Sequence, residues 1–262
     1  MARQRLGQHF LADPKWQRKI VETLPLRAGE TWIEIGAGHG EMTRWLAGNG
    51  RRVIAIETDE SLARGIGEHA RENPAVWPGV EIVHADVLRL DLGKLSDGKI
   101  RVYGSLPYYI TSPILRHLFK WATCIDSIHV VAQFEVAARI VAEPGRREYG
   151  YLSTLCQFYT RPEIVLRIPP GAFRPPPRVA SALLRMILPG GRVSAGVADH
   201  PSFLEFIQVC FGQKRKTLRN NLRSVGDDNR IRAALADCRL RPDARAEQLS
   251  LSQFADLFKS LR

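Results

Sequence analysis

Glycines alternate at 36, 38 and 40 in the segment Ile33-Glu34-Ile35-Gly36-Ala37-Gly38-His39-Gly40-Glu41, which joins an apolar run to a helix-period run. Glycine lets the backbone turn tightly there and approach a ligand without a Cβ in the way. A helix that follows points its free N–H groups at that ligand. A dinucleotide fingerprint, G-x-G-x-x-G, would need glycine at 41; Glu41 stands there instead, and a carboxylate at a helix start repels a pyrophosphate. The turn therefore fits a ligand without phosphate, such as S-adenosylmethionine. Glu57 closes the next apolar run, placed to accept hydrogen bonds from both ribose hydroxyls. A third run ends in His84-Ala85-Asp86-Val87, where Asp86 could accept from an adenine amine. Each acid alone reads as a solvated strand end; three such ends at the carboxyl edge of one sheet read as a cofactor site.

Elements able to place these residues alternate through the first two thirds of the chain. The spacing predicts strands at Thr31–Ile35, Arg52–Glu57, Val80–His84, Ile100–Gly104 and Ile125–Gln133, with helices at Glu41–Ala47, Asp59–Glu72 and Ser112–Trp121 between them. That alternation predicts an α/β fold with a parallel sheet covered on both faces. Glu163–Ile168 and Ala182–Leu188, with a proline-rich loop between them, predict an antiparallel hairpin that completes a seven-stranded sheet. Residues 189–200, rich in Pro, Gly and Ser, read as a linker between a domain of residues 1–188 and a helical domain of residues 201–262. Ser250 with Gln253 fits a capping box that opens a last helix, with Phe254, Leu257, Phe258 and Leu261 as its apolar face.

The charge of +11 and pI near 9.9 exceed what a fold needs and fit a polyanionic partner. Four scattered cysteines and seven scattered histidines lack metal-ligand spacing, so no metal is expected and the compartment reads as reducing. The start has no apolar signal core, and no apolar run reaches the roughly 20 residues that span a bilayer. A soluble, cytoplasmic monomer with no membrane partner is the expectation.

The fourth predicted strand runs into Ser105-Leu106-Pro107-Tyr108. Upstream stands Leu6-Gly7-Gln8-His9-Phe10-Leu11; downstream come Gln133-Phe134-Glu135-Val136-Ala137, then Phe173-Arg174-Pro175-Pro176-Pro177-Arg178-Val179, and Phe211-Gly212-Gln213-Lys214-Arg215-Lys216-Thr217-Leu218. Over almost its whole length the chain resembles the KsgA family, the ribosomal RNA adenine dimethyltransferases. The resemblance implies a Rossmann-like methyltransferase fold with a mostly parallel seven-stranded sheet and a small C-terminal all-helical domain. It implies transfer of methyl groups from S-adenosylmethionine to N6 of two adjacent adenosines near the 3′ end of small-subunit (16S) ribosomal RNA. Catalytic residues would be Ser105, Leu106, Pro107, Tyr108 and Phe173. Gln8, His9, Leu11, Gly36, Gly38, Glu57, Asp86, Val87 and Ser105 would hold the cofactor. Two positions depart from the family pattern: Ser105 and His9 each replace an Asn. A serine hydroxyl still accepts a hydrogen bond but reaches less far, which predicts a slower enzyme.

Lys214 and Lys216 accompany Arg215, Arg219 and Arg223, which recur every fourth position and on a helix would form one basic stripe along RNA phosphates. Arg146, Arg147, Arg174 and Arg178 extend the basic set. Three alternatives stay open: a large-subunit adenine methyltransferase of the erythromycin-resistance type, a largely non-catalytic checkpoint in ribosome assembly, and, least, a nicotinamide-dependent oxidoreductase.

Overall fold

The computed structural model describes residues 9–262; Leu6, Gly7 and Gln8 of the opening motif lie outside the described residues. Nine strands are present among them: β1 Phe10–Leu11, β2 Thr31–Ile35, β3 Arg52–Glu57, β4 Val80–His84, β5 Ile100–Ser105, β6 Ile125–Gln133, β7 Arg161–Ile168, β8 Phe173–Arg174 and β9 Ser181–Ile187. Seven of these form one sheet in the order β4-β3-β2-β5-β6-β9-β7. The five strands β4 to β6 in that order pair in parallel, and β9 runs antiparallel to β6. The two runs expected as a hairpin, β7 and β9, are sheet neighbours, as the α/β reading requires. Strands β2 and β3 are buried along nearly their whole length, which is why their sequences read as continuous rather than alternating apolar runs.

The chain order reverses at β2: β3 and β4 lie on one side of it, β5 and β6 on the other. Register brings Ile35 beside Ile56 on β3 and beside Gly104 on β5. The turn after β2, the acid ending β3 and the segment leaving β5 therefore share one rim, the position where open α/β sheets take their ligands.

Eleven α-helices accompany the strands among the described residues: α1 Pro14–Thr23, α2 Thr43–Leu46, α3 Glu60–Glu72, α4 Thr111–Lys120, α5 Phe134–Val141, α6 Tyr151–Tyr159, α7 Arg192–Ala195, α8 His200–Cys210, α9 Leu218–Asn221, α10 Asp228–Asp237 and α11 Leu251–Ser260. Asp13 opens α1 by accepting from Lys15 N, with Pro14 in the first turn, and Asp59 opens α3 the same way from Ser61 N and Leu62 N. Where a helix was expected at Glu41–Ala47, only the single turn α2 forms, and the chain then bends back through Gly48 and Asn49, both at positive φ. In α11 the Ser250 and Gln253 capping box forms in both directions, and Phe254, Leu257, Phe258 and Leu261 are buried.

The chain divides into two compact units, residues 1–137 with 163–188 and residues 138–162 with 189–262. The composition-based boundary at 188 thus misses a segment: residues 138–162, between β6 and β7, belong to the helical unit. Packing explains it, because Phe158 of α6 is fully buried in one cluster with Phe203, Phe254 and Leu257. Residues 189–200 are likewise an ordered part of that unit rather than a linker. Gly190 N donates to Tyr159 O and Gly191 N to Gln157 O, and a Cβ at Gly190 would lie 2.3 Å from Thr160 N. The glycines that read as linker composition are what let the chain lie flat against the end of α6.

Candidate active site

The glycine-rich turn is built from its close contacts. A Cβ at Gly38 would lie 3.0 Å from the Phe10 ring, and one at Gly40 would lie 2.5 Å from Trp77; both glycines are at positive φ. The Gly38 N–H donates to Glu57 Oε2 at 2.9 Å. Glu57 Oε1 accepts from the N–H groups of Thr58 and Asp59 at 2.8 and 2.9 Å. Three backbone donors therefore orient this buried carboxylate, and Oε2 keeps one lone pair for a ligand hydroxyl.

One cleft is lined by His9, Leu11, Gly36, Gly38, Glu57, Ser105, Leu106, Pro107, Tyr108 and Phe173, so all the sequence-derived catalytic residues and most of the cofactor residues come together. Asp86 and Val87 stand apart from that lining: Asp86 caps the short turn Val87–Arg89 by accepting from Leu88 N at 3.0 Å, and Val87 is buried. The expected contact of Gln8 falls outside the described residues.

Around the cleft's mouth, β1 and β8 pair antiparallel, with Leu11 against Phe173, and this holds the Phe173 ring buried in the wall. His9 Nδ1 lies 2.7 Å from Pro175 O, and its ring centroid is 5.6 Å from that of Tyr108. The half-buried Tyr108 hydroxyl lies 2.8 Å from Ser181 Oγ, which is fully buried on β9. Leu106 N donates to Val131 O at 3.1 Å, and Pro107 O accepts from Ile110 N, so the Ser-Leu-Pro-Tyr turn is anchored at both ends. Gly104 just before it has no room for a side chain, since a Cβ would lie 2.8 Å from Leu106 Cδ2 and 3.1 Å from Ile35 O.

Two further residues enter that sequence reasoning passed over. Ser181, two residues beyond the proline-rich motif, holds the Tyr108 hydroxyl. Glu34, on β2, also lines the cleft, is buried, and has no hydrogen-bond partner on Oε2. Burial first, then the neighbouring Glu41 and Glu57, push its carboxyl up to about 8 against the lowering effect of the Thr43 hydroxyl. An acid in the middle of a strand otherwise buried on both faces was the signal available in the sequence. With Glu41 and Glu57 on its walls and the protonated Glu34 beside them, the cleft repels phosphates and attracts a cation. A sulfonium nucleoside fits that donor set, and an orphaned carboxyl oxygen is left for it.

The basic residues are arranged differently from the expected stripe. Residues 212–217 form turns, α9 starts only at Leu218 under a Thr217 cap, and it ends after one turn. Arg215, Arg219 and Arg223 therefore do not share one helix face. Arg219 is also engaged, its guanidinium meeting both oxygens of Asp228 at 2.5 and 2.7 Å. Arg215, Arg223, Lys214 and Lys216 are exposed. Lys214 Nζ donates to Arg147 O at 2.9 Å, which draws the turn bearing Arg146 and Arg147 to the one bearing Lys214, Arg215 and Lys216. A compact basic corner of two turns replaces the linear stripe. In the sheet-bearing unit, Arg174 and Arg178 are exposed beside the cleft residue Phe173. No helix among the described residues is long and apolar enough to cross a membrane, and no cluster of three His, Cys, Asp or Glu side chains among them could hold a metal.

The sequence profile of the family described as ribosomal RNA adenine dimethylase matches residues 1–262. The ribosomal RNA small subunit methyltransferase A of Koribacter versatilis is 41% identical over 98% of this chain and 94% of its own length. That of Xanthomonas oryzae is 40% identical over 98% of this chain and 95% of its own. Among solved structures, the 23S rRNA methyltransferase ErmE is 27% identical, with a TM-score of 0.71 over 96% of this chain and 99% of that one. A dimethyladenosine transferase from Plasmodium falciparum shares the fold, with a TM-score of 0.77 at 19% identity over 95% of this chain and 96% of that one.

Proposed function

Given that the chain belongs to the ribosomal RNA adenine dimethylase family, we propose that it dimethylates N6 of two adjacent adenosines near the 3′ end of small-subunit ribosomal RNA, as a cytoplasmic monomer. The observation that carries this reading is the acid-walled cleft at the sheet's carboxyl rim, with the Ser-Leu-Pro-Tyr turn as one wall. S-adenosylmethionine, when bound, supplies the methyl group.

The chain's own residues have three tasks. Gly36 and Gly38 bring backbone close to the ligand, and Glu57, aimed by its three N–H donors, meets a ribose hydroxyl. Tyr108, held by Ser181, and Phe173, held by the pairing of β1 and β8, are aromatic surfaces for a base turned out of its stack. The third task is electronic. The lone pair of an adenine N6 is delocalised into the ring, so acceptors on its hydrogens must draw the nitrogen toward tetrahedral geometry and stabilise the charge that develops. Ser105 Oγ and the Leu106 carbonyl, at the end of β5, are the acceptors in reach of such a base. In-line placement of the amine supplies much of the remaining acceleration.

Outside the cleft, the corner formed by Arg146, Arg147, Lys214, Arg215 and Lys216 meets RNA phosphates, with Arg223 on the following turn and Arg174 and Arg178 on the sheet-bearing unit. Labelled S-adenosylmethionine offered separately to unmethylated small subunits and to naked large-subunit RNA tests the assignment. Label entering the small subunit is expected. Label entering only the large-subunit RNA would move the chain to the erythromycin-resistance type, and tight subunit binding without label would make it an assembly checkpoint.

A further inference from the structure

Apolar and aromatic side chains normally retreat from water, and five large ones among the described residues do not: Val76, Tyr109, Val179, Val193 and Val225. Two of these five stand on the two segments that the Tyr108–Ser181 hydrogen bond ties together. Tyr109, 76% exposed, follows Tyr108 directly, and Val179, 48% exposed, precedes Ser181 by two residues. Tyr109 has no ring partner or hydrogen bond among the described residues, and the turn it sits on is already anchored through Leu106 N and Pro107 O. The fold has no use for an aromatic ring at this position.

Charge says what would cover it. No acid occurs between Asp97 and Asp126, the stretch that carries Tyr109, or between Glu163 and Asp199, the stretch that carries Val179 and five arginines. Two of those are exposed: Arg174 at the end of β8 and Arg178, next to Val179. An exposed ring on one acid-free stretch, tied through Tyr108 and Ser181 to another that carries exposed arginines, matches single-stranded nucleic acid, whose bases stack on aromatic faces while its phosphates meet arginine.

We propose that Tyr109 is a stacking ledge for the nucleotide adjoining the adenosine under methylation, with Val179 widening the apolar surface and Arg178 taking a neighbouring phosphate. This rests on the reading of the cleft as an adenosine methylation site. A base can enter the cleft only after leaving its stack, and that exposes one face of the next base. Tyr109 offers that face a replacement at the cleft's mouth, and the same ledge serves again when the second of two adjacent adenosines is taken up.

Steady-state methyl transfer to unmethylated small subunits tests it, with Tyr109→Ala, Tyr109→Gln and Tyr109→Phe compared with the parent. Tyr109→Ala and Tyr109→Gln should lower kcat/KM for the subunit about tenfold, the scale of removing one base–aromatic stack. Tyr109→Phe, which keeps the ring face, should stay within about twofold. Affinity for S-adenosylmethionine and the thermal midpoint should not move, since the side chain is exposed and outside the cofactor cleft. If the parent methylates and Tyr109→Ala matches it within twofold, or if Tyr109→Phe falls as far as Tyr109→Ala, the ledge is wrong while the methylation reading stands. A parent that transfers no methyl group to RNA removes both.

Discussion

Replacing Glu34 by Gln probes the acid-walled cleft most sharply, because the two side chains differ by little more than a proton. In the free protein burial pushes the Glu34 carboxyl up to about 8, from an ordinary 4.5. At pH 7 it is therefore mostly protonated. S-adenosylmethionine carries a net positive charge. For a unit positive charge at roughly 5 Å and an effective dielectric of about 20, the attraction is about 3 kcal/mol, or about two pH units. Binding would then lower the carboxyl's pKa and release part of a proton at pH 7. Calorimetric titration at pH 7 in two buffers of different ionisation enthalpy reads that release directly. The parent should show it, and Glu34→Gln should show none while binding the cofactor more weakly. The same shift acts on stability. The unfolded chain loses this proton near 4.5 while the folded chain holds it to about 8, so stability falls as pH rises through that window, by up to about 5 kcal/mol. Glu34→Gln should flatten that fall. Buffer-independent heats for the parent, or equal proton release from the variant, would show that Glu34 does not face the bound cation.

Four other outcomes follow from the same geometry. Ser105→Asn should raise turnover severalfold, since the longer amide reaches N6 better and one such hydrogen bond is worth about 3 kcal/mol; an unchanged or lower kcat would show that Ser105 is not a compromised acceptor. Ser181→Ala removes the anchor on the Tyr108 hydroxyl and should lower kcat more than it raises KM for S-adenosylmethionine, whereas Ser181→Thr should recover most of the loss. Burial first, then the Arg185 and Arg101 charges, hold His129 down to about 4 from 6.5. The unfolded chain takes up a proton below about 6.5 that the folded chain refuses, so stability is lost as pH falls toward 4, by up to about 3 kcal/mol. His129→Gln should lose less of its thermal midpoint than the parent between pH 7 and pH 5. Charge removal at Lys214, Arg215 and Lys216 should weaken RNA binding and lower its salt slope by roughly one unit for each phosphate-bound cation removed, while Arg219→Gln, engaged with Asp228, should change the slope least; filter binding across salt concentrations checks both.

Much of the sheet was legible because its signals are local. Continuous β-branched runs mark strands buried on both faces, and Gly36, Gly38 and Gly40 mark a turn that only glycine can make. The long-range part was not. Nothing local to Tyr151–Tyr159 says that Phe158 joins the helical unit rather than the sheet, and the flexibility implied by Pro189-Gly190-Gly191 proved to be close packing against α6. Periodicity at 215, 219 and 223 suggested a helix, but the Thr217 cap sets the start of α9 and overrides it. Within the cleft, His9, Ser105 and Tyr108 were found through their motifs, whereas Ser181 and Glu34 act through contacts that only the folded sheet creates.

On the proposed function, this cleft places the exocyclic amine of an adenine for methyl transfer. Digesting small-subunit RNA to nucleosides after reaction with labelled S-adenosylmethionine, and separating them by mass, tests it most directly. Label in N6,N6-dimethyladenosine is the predicted result. Label in any other nucleoside, or RNA left unlabelled by a protein that binds the cofactor, would contradict it.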